Sequence, residues 1–103
     1  MNIPEKQGVY YAVFCETLYD SLDDALDRNP DVIASHRTRS KELYDQGMLL
    51  MAGAFLDSPE EKLCSMAICL TREAAEEYAR GDPFVVSGMV SKWSIRKWAN
   101  MFA

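Results

Sequence analysis

The chain has 103 residues, of which 49% are hydrophobic and 26% charged, and its net charge is −5. These values predict one globular domain over residues 1–103 and exclude a disordered chain. The longest wholly apolar run, residues 48–56, is far shorter than the roughly 18 residues that a membrane-spanning helix needs. The acidic balance argues against a nucleic-acid partner, since phosphate binding requires clustered lysine and arginine.

The polar N-terminus and the small numbers of cysteines and histidines predict where the protein is located and whether it binds a metal. Residues 1–8 hold no apolar segment of signal-peptide length, so we expect a cytoplasmic protein. Cys15, Cys64 and Cys69 are an odd number of cysteines, and we expect small buried thiols rather than a disulfide framework. Because the chain has a single histidine and no ligand pair at a usable spacing, no metal site is predicted.

The first half of the chain predicts one strand and two helical segments. Residues 9–15 are rich in β-branched and aromatic side chains, which favours a strand. A short helical segment is predicted over residues 18–29, with Ser21 as a candidate cap. An Asn-Pro step interrupts it, and a longer helix is expected over residues 31–46, ending at Gly47.

A hairpin is predicted next, because residues 48–55 and 63–70 are two apolar runs with a short connection. Its turn is placed at residues 57–60, where Asp, Ser, Pro and Glu follow one another. Gly53 interrupts the first of these strands. A glycine inside a strand marks a bulge or the close approach of backbone or ligand, so Gly53 is a candidate site residue.

The last part of the chain predicts a helix, a short turn and a final strand. Thr71 is expected to cap a helix over residues 72–80, which Gly81 ends. Asp82 before proline then restarts a helical turn, with the aspartate at the capping position and the proline at the first helical position. Residues 89–98 are predicted to form the last strand.

This order of elements is β-α-β-β-α-β, which predicts an α+β, ferredoxin-like fold. In that arrangement a four-stranded antiparallel sheet carries two helices on one face. The first three strands are apolar on both parities, but two helices can cover only one face. We therefore expect a second copy of the chain to cover the other face, sheet against sheet, in a homodimer.

His36 is the one side chain that titrates near neutral pH without perturbation. Its spacing places it in the apolar stripe of the long helix, with Ile33, Leu43 and Tyr44. One interpretation is a partly buried structural histidine that is hydrogen-bonded to a neighbour. The other is a general base or acid.

Two kinds of side chain could assist His36. The Asp82 carboxylate is explained by helix capping alone, yet a carboxylate beside an imidazole also fixes its tautomer, and the two roles are compatible. Arg37 and Arg39 lie at other angles of the helix and are expected to be solvated. If either turns toward a pocket, it could hold an anionic group of a ligand.

Five segments carry a resemblance to a known family. They read VYYAVFCE, SHRTRSKELYDQG, MLLMAGAF, EEYARGDPFVVSGM and WSIRKW, and the resemblance covers about residues 8–98. The most specific feature is the combination of a helical histidine, a glycine in an Ala-Gly strand, and Asp-Pro-Phe before the last strand. The chain resembles the YciI-like (YCII-related) proteins.

The resemblance implies a dimeric α+β barrel built of ferredoxin-like protomers. It also implies a cofactor-free enzyme that uses a histidine and an aspartate between helix and sheet, which correspond to His36 and Asp82. The chemistry known among such proteins is of lyase or isomerase type on small cyclic organic acids or chlorinated hydroxyquinols.

The chain departs from the family pattern at two positions. Ile33 stands where members often carry arginine, and Ala54 stands where they carry proline. Because position 33 is not an arginine, the resemblance gives less support for an anion-binding residue there. Arg28 or Arg37 could take that role instead.

These features lead to a functional hypothesis with two rivals. In the leading one, His36 transfers a proton on a small organic molecule and Asp82 orients it, while Gly53 and Phe84 line the pocket and Arg37 binds substrate. The alternative is a non-catalytic homodimeric module that binds a small molecule or protein. It predicts a satisfied His36 without an adjoining cavity. The second rival is a cofactor-free oxygenase.

Overall fold

A computed structural model describes residues 8–57 and 61–102. Its helices and strands follow the predicted order, and the short turn after Asp82 is a helix of its own. The elements are β1 (Val9–Thr17), α1 (Leu22–Arg28), α2 (Pro30–Asp45), β2 (Leu49–Ala54), β3 (Cys64–Cys69), α3 (Arg72–Gly81), α4 (Pro83–Val86) and β4 (Val90–Ala99). The turn predicted at residues 57–60 lies, apart from its first residue, outside the described residues.

The four strands form one antiparallel sheet in the order β2-β3-β1-β4. At its centre, Val13 of β1 pairs with Ala67 of β3 on one side and with Ile95 of β4 on the other. This topology confirms the predicted α+β, ferredoxin-like fold.

The irregularity that was expected at Gly53 lies elsewhere in β2. The register of β2 against β3 shifts between Leu49 and Met51, before the glycine. A Cβ atom added to Gly53 would meet no other atom within 4 Å. Gly53 therefore marks neither a bulge nor a close approach of this chain's own backbone, and the remaining alternative, the approach of a ligand, stays a prediction.

The main core lies between the sheet and the long helices. Alternate residues of β1 and β3 point toward α2 and α3, because side chains in a strand alternate between faces. The buried members of this cluster are Val13, Cys15, Leu43, Leu49, Ala67, Cys69, Ala74, Ala75, Tyr78 and Ala79. The alanines of α3 allow that helix to approach the sheet closely. A smaller cluster joins α1 and α2 around the fully buried Tyr19.

Two helix starts follow the sequence prediction closely. Ser21 Oγ accepts the Asp24 N–H at 3.0 Å, and Thr71 Oγ1 accepts the Ala74 N–H at 3.0 Å. Gly47 follows α2 with a φ of 78°, a conformation that glycine adopts at low cost. These signals could be recognised because each depends on residues close together in the chain.

The opposite face of the sheet is apolar at its centre and carries none of the described helices. Its central positions belong to β1 and β3, and they alternate with the positions of the main core. They are Tyr10, Ala12, Phe14, Met66 and Ile68. At the two edges of the sheet, Met51 is 63% exposed and Trp98 is 46% exposed. We call this surface the open face.

Several local expectations are wrong. Tyr44 is exposed instead of completing the buried stripe of α2, and Cys64 is only partly buried, unlike Cys15 and Cys69. Because Cys64 is at the start of its strand, fewer neighbours can cover it. No helix in the described parts of the chain is long and apolar enough to cross a membrane.

Candidate active site

A cavity of about 770 Å³ lies between α2 and the sheet. Its walls come from α2, from β2, from the ends of β1 and β3, and from the junction of α3 with α4. The structure brings all five residues of the leading hypothesis to this cavity, namely His36, Arg37, Gly53, Asp82 and Phe84.

His36 and Asp82 are in direct contact at the cavity wall. His36 Nδ1 lies 2.6 Å from Asp82 Oδ1, although 46 residues separate them in sequence. The Asp82 side chain is 6% exposed and that of His36 is 25% exposed. A short hydrogen bond to a buried carboxylate is among the stronger interactions that a neutral or charged imidazole can make.

The side chain of Asp82 does not cap α4. Asp82 occupies the position before Pro83 that the sequence predicts for a cap, but its carboxylate makes no hydrogen bond to the helix. Helix capping alone therefore does not explain this residue. Its carboxylate is directed to the imidazole.

The hydrogen bond determines which ring nitrogen of His36 is basic. An ionised carboxylate only accepts hydrogen bonds, so Nδ1 must carry the proton that it donates to Asp82. In the neutral ring, Nε2 then holds the free electron pair. The proton positions follow from this hydrogen-bond network.

Two aromatic rings pack against the imidazole, and a third packs against one of them. The Phe84 ring lies 4.9 Å from the His36 ring, measured between centroids, and Tyr78 lies 6.4 Å away at an interplanar angle of 71°. Tyr19 packs edge-on against Phe84 at 5.7 Å. These rings restrict the orientation of His36 and keep part of the cavity apolar. The sequence indicated Phe84 as a cavity residue, but not Tyr19 or Tyr78.

Tyr78 and Cys15 are neutral groups inside the cavity. Burial, and after it the nearby Asp82 carboxylate, raises the pKa of Tyr78 well above its ordinary value. The same two causes, in the same order, raise the pKa of the Cys15 thiol to about 11. Cys15 is therefore a protonated thiol at neutral pH and a poor nucleophile.

Cationic side chains of α2 lie at the cavity. Arg37 and Lys41 both line it, and Lys41 also pairs with Asp45 at 2.5 Å. Arg28 does not line it; its guanidinium lies 5.3 Å from the Tyr19 ring centroid. Of the two arginines considered as substitutes for an anion-binding residue, only Arg37 is at the cavity.

Comparison with known proteins identifies the family. Residues 9–99 match the YCII-related domain. The chain belongs to this family. Protein YciI of Escherichia coli O6:H1 (strain CFT073) is 28% identical over 100 residues, which cover 89% of this chain and 98% of that protein. Protein YciI of Shigella flexneri matches with the same identity and coverage.

A solved structure shows the same fold as this YCII-related chain. It is 5-chloro-2-hydroxyhydroquinone dehydrochlorinase (TftG) from Burkholderia phenoliruptrix AC1100, in complex with 2,5-dihydroxybenzoquinone. The TM-score is 0.62 at 14% sequence identity, and the match covers 86% of this chain and 92% of that one.

The chemistry available in this YCII-related chain is acid–base chemistry. One imidazole nitrogen is held by a buried carboxylate, and His36 faces a cavity of a size that holds small organic molecules. Within residues 8–57 and 61–102, no group of three or more histidine, cysteine, aspartate or glutamate side chains is arranged to hold a metal ion.

Proposed function

We propose that this YCII-related protein is a cofactor-free enzyme that moves a proton on a small organic molecule. In this proposal His36 is the general base and Asp82 holds it in the reactive tautomer. The observation that carries the proposal is the 2.6 Å contact between the imidazole and a buried carboxylate that caps no helix. The cavity beside His36 favours an enzyme over the non-catalytic module, which was expected to have none.

The proposed step uses both ring nitrogens. Nε2 removes a proton from a carbon made acidic by a neighbouring carbonyl, and Nδ1–H continues to donate to Asp82. The electron pair left on carbon either forms a double bond as a leaving group departs, or is reprotonated elsewhere by the imidazolium. These two outcomes are elimination and isomerisation.

The cavity favours a substrate with a ring and an anionic group. Phe84 and Tyr78 present aromatic surfaces, and Arg37 offers a guanidinium that can bind a carboxylate or phenolate. The fold of this chain also occurs in TftG, whose structure contains 2,5-dihydroxybenzoquinone. Quinones, hydroxyquinols and cyclic carboxylic acids are therefore the compounds to test first.

The experiment begins with a thermal-shift screen of these compounds, because a ligand that binds only the folded state raises the melting temperature. Turnover of each hit is then measured for the wild type and for His36→Ala. We expect the variant to lose about 10²–10⁴-fold in kcat and to recover partly when imidazole is added.

Three outcomes contradict the proposal. Full turnover in His36→Ala excludes His36 as the base. Binding without turnover of any hit supports the non-catalytic module. Oxygen consumption during turnover supports the cofactor-free oxygenase.

We also propose that the protein acts as a homodimer whose two sheets pack together through their open faces. Support comes from Phe14 and Met66 at the centre of that face and from the exposed Met51 and Trp98 at its edges. An apolar surface of this kind, which Ser94 and Arg96 of β4 border, is typical of an interface. Sedimentation velocity at micromolar concentration is expected to show a dimer, and Phe14→Glu is expected to dissociate it. A wild-type monomer at that concentration would contradict the proposal.

A further inference from the structure

Arg39 connects α2 to the end of α3. It follows His36 by three residues on α2, so the two side chains are neighbours on that helix. Its Nη1 donates to the Tyr78 carbonyl at 3.0 Å, and its Nη2 donates to the Glu77 carbonyl at 2.6 Å. The expectation from sequence that Arg39 is solvated is therefore wrong.

The carbonyl that Arg39 contacts needs a donor. In a continuing α-helix the Asp82 N–H would donate to the Tyr78 carbonyl, but here it donates to the Ala79 carbonyl at 3.4 Å. The last turn of α3 is thus tightened, and the Tyr78 carbonyl is left without that helical partner. The guanidinium supplies the hydrogen bond, and its positive charge is favourable at the C-terminus of a helix.

Gly81 provides the space for this guanidinium. A Cβ atom on Gly81 would lie 2.8 Å from Arg39 Cζ and closer still to Nη2. Gly81 does not have a positive φ, unlike Gly8, Gly47 and Gly88. Glycine at this position leaves room for the guanidinium, which a Cβ atom would displace.

We propose that Arg39 is a positioning residue for the His36–Asp82 pair. Asp82 directly follows Gly81, and its carboxylate must reach an imidazole on the same helix that carries Arg39. By fixing the end of α3 against α2, Arg39 keeps the carboxylate within hydrogen-bond distance of Nδ1. The effect on turnover rests on the proposed function, but the effect on the hydrogen bond does not.

The test uses the single histidine as its reporter. In untagged, ¹⁵N-labelled protein at a pH where the ring is neutral, His36 contributes the only imidazole signals. The wild type is expected to show a slowly exchanging Nδ1–H and an unprotonated Nε2. Asp82→Ala defines the signals of a ring that has lost its partner.

Arg39→Ala and Gly81→Ala are the informative variants. Both are expected to shift the His36 signals toward those of Asp82→Ala and to reduce kcat about tenfold or more, with a smaller change in KM. Because alanine favours helix over glycine, Gly81→Ala acts by displacing the guanidinium and serves as the test if Arg39→Ala does not fold. Arg80→Ala removes another cation from the last turn of α3, where Arg80 packs on Trp93, and is expected to leave the signals unchanged.

Two results overturn the proposal. One is a wild-type Nδ1–H signal in both Gly81→Ala and any folded Arg39→Ala. The other is an equal disturbance by Arg80→Ala, which would show that His36 responds to any change at the end of α3. Altered signals in Arg39→Ala together with full turnover in His36→Ala would refute the proposed function and leave the positioning role intact.

Discussion

The helices α3 and α4 both follow a residue whose side chain can cap a helix, but only the side chain before α3 does so. Thr71 and Asp82 each precede the first residue of a helix. Thr71 is exposed and its hydroxyl accepts the Ala74 N–H, whereas Asp82 is buried and its carboxylate accepts no hydrogen bond from α4. Since Pro83 has no N–H and α4 is only four residues long, α4 depends less on a side-chain cap. The Asp82 carboxylate is therefore available for His36.

The largest effect is expected from Asp82→Asn. The asparagine has the same shape but no charge, and its amide can favour the wrong tautomer of His36. We expect kcat to fall about 100-fold or more, while the melting temperature changes little because no helix loses a cap. Steady-state kinetics and thermal unfolding of the same preparation measure both quantities. Normal turnover with a large loss of stability would mean that Asp82 is structural after all.

Thr71→Ala is expected to do the opposite of Asp82→Asn, lowering stability while leaving turnover unchanged. Removing the hydroxyl leaves the Ala74 N–H without its partner, which costs about 1 kcal/mol of unfolding free energy. Turnover should remain at the wild-type level, because Thr71 does not line the cavity. Urea denaturation provides the free energy, and Thr71→Ser, which keeps the hydroxyl, is the matched control. A loss of turnover in a stable Thr71→Ala protein would break the contrast between the two helix starts.

Ser21→Ala extends the comparison to α1 with a smaller effect. This helix has seven residues and only Ala25 among them is buried, so its cap contributes less to global stability. We expect a loss of about 0.5 kcal/mol. Hydrogen exchange should show faster exchange of the Asp24 amide, with the amides of α3 unchanged. Equal acceleration in both helices would indicate that α1 does not open on its own.

The smallest effect is expected for Asp24→Asn, on the stability of the protein at acidic pH. The hydrogen bond from the Asp20 N–H, together with Arg28, lowers the pKa of Asp24. A carboxyl with a lowered folded-state pKa stabilises the protein above its unfolded-state pKa. This stabilisation is lost as the pH falls through the folded-state pKa. Asp24→Asn should therefore flatten the acid part of the stability curve slightly, as measured by denaturation midpoints. An unchanged curve would show that this exposed carboxylate contributes nothing measurable.

The element order and the caps could be predicted because they depend on short-range patterns. Ser21 and Thr71 bond to amides three residues away, and Gly47 ends its helix through its own φ. The apolar residues on both parities of β1 likewise predicted a sheet with two apolar faces. Each of these signals is complete within a few residues of sequence.

The partners within the site could not be predicted by local patterns. The position of Asp82 before a proline could be recognised in the sequence. The direction of its carboxylate toward His36 could not, because it depends on the packing of α2 against the α3–α4 junction. Arg39 was expected to be solvated because of its angle on α2. The sequence does not reveal that the Tyr78 carbonyl at the end of α3 lacks its helical partner and can accept from Arg39. Gly81 ended its helix as predicted, yet the reason for glycine is the space taken by a residue from another helix.

Because a single residue joins α3 to α4, evolution is expected to preserve the length of the chain at this point. Inserting one residue between Gly81 and Pro83 would displace Asp82 relative to one of the two helices that flank it. The carboxylate would then point away from the imidazole even if every side chain were retained. Insertions should therefore be rarer in this segment during divergence than substitutions in either flanking helix. The connection after β2, which contains neither residue of the pair, should vary in length far more freely.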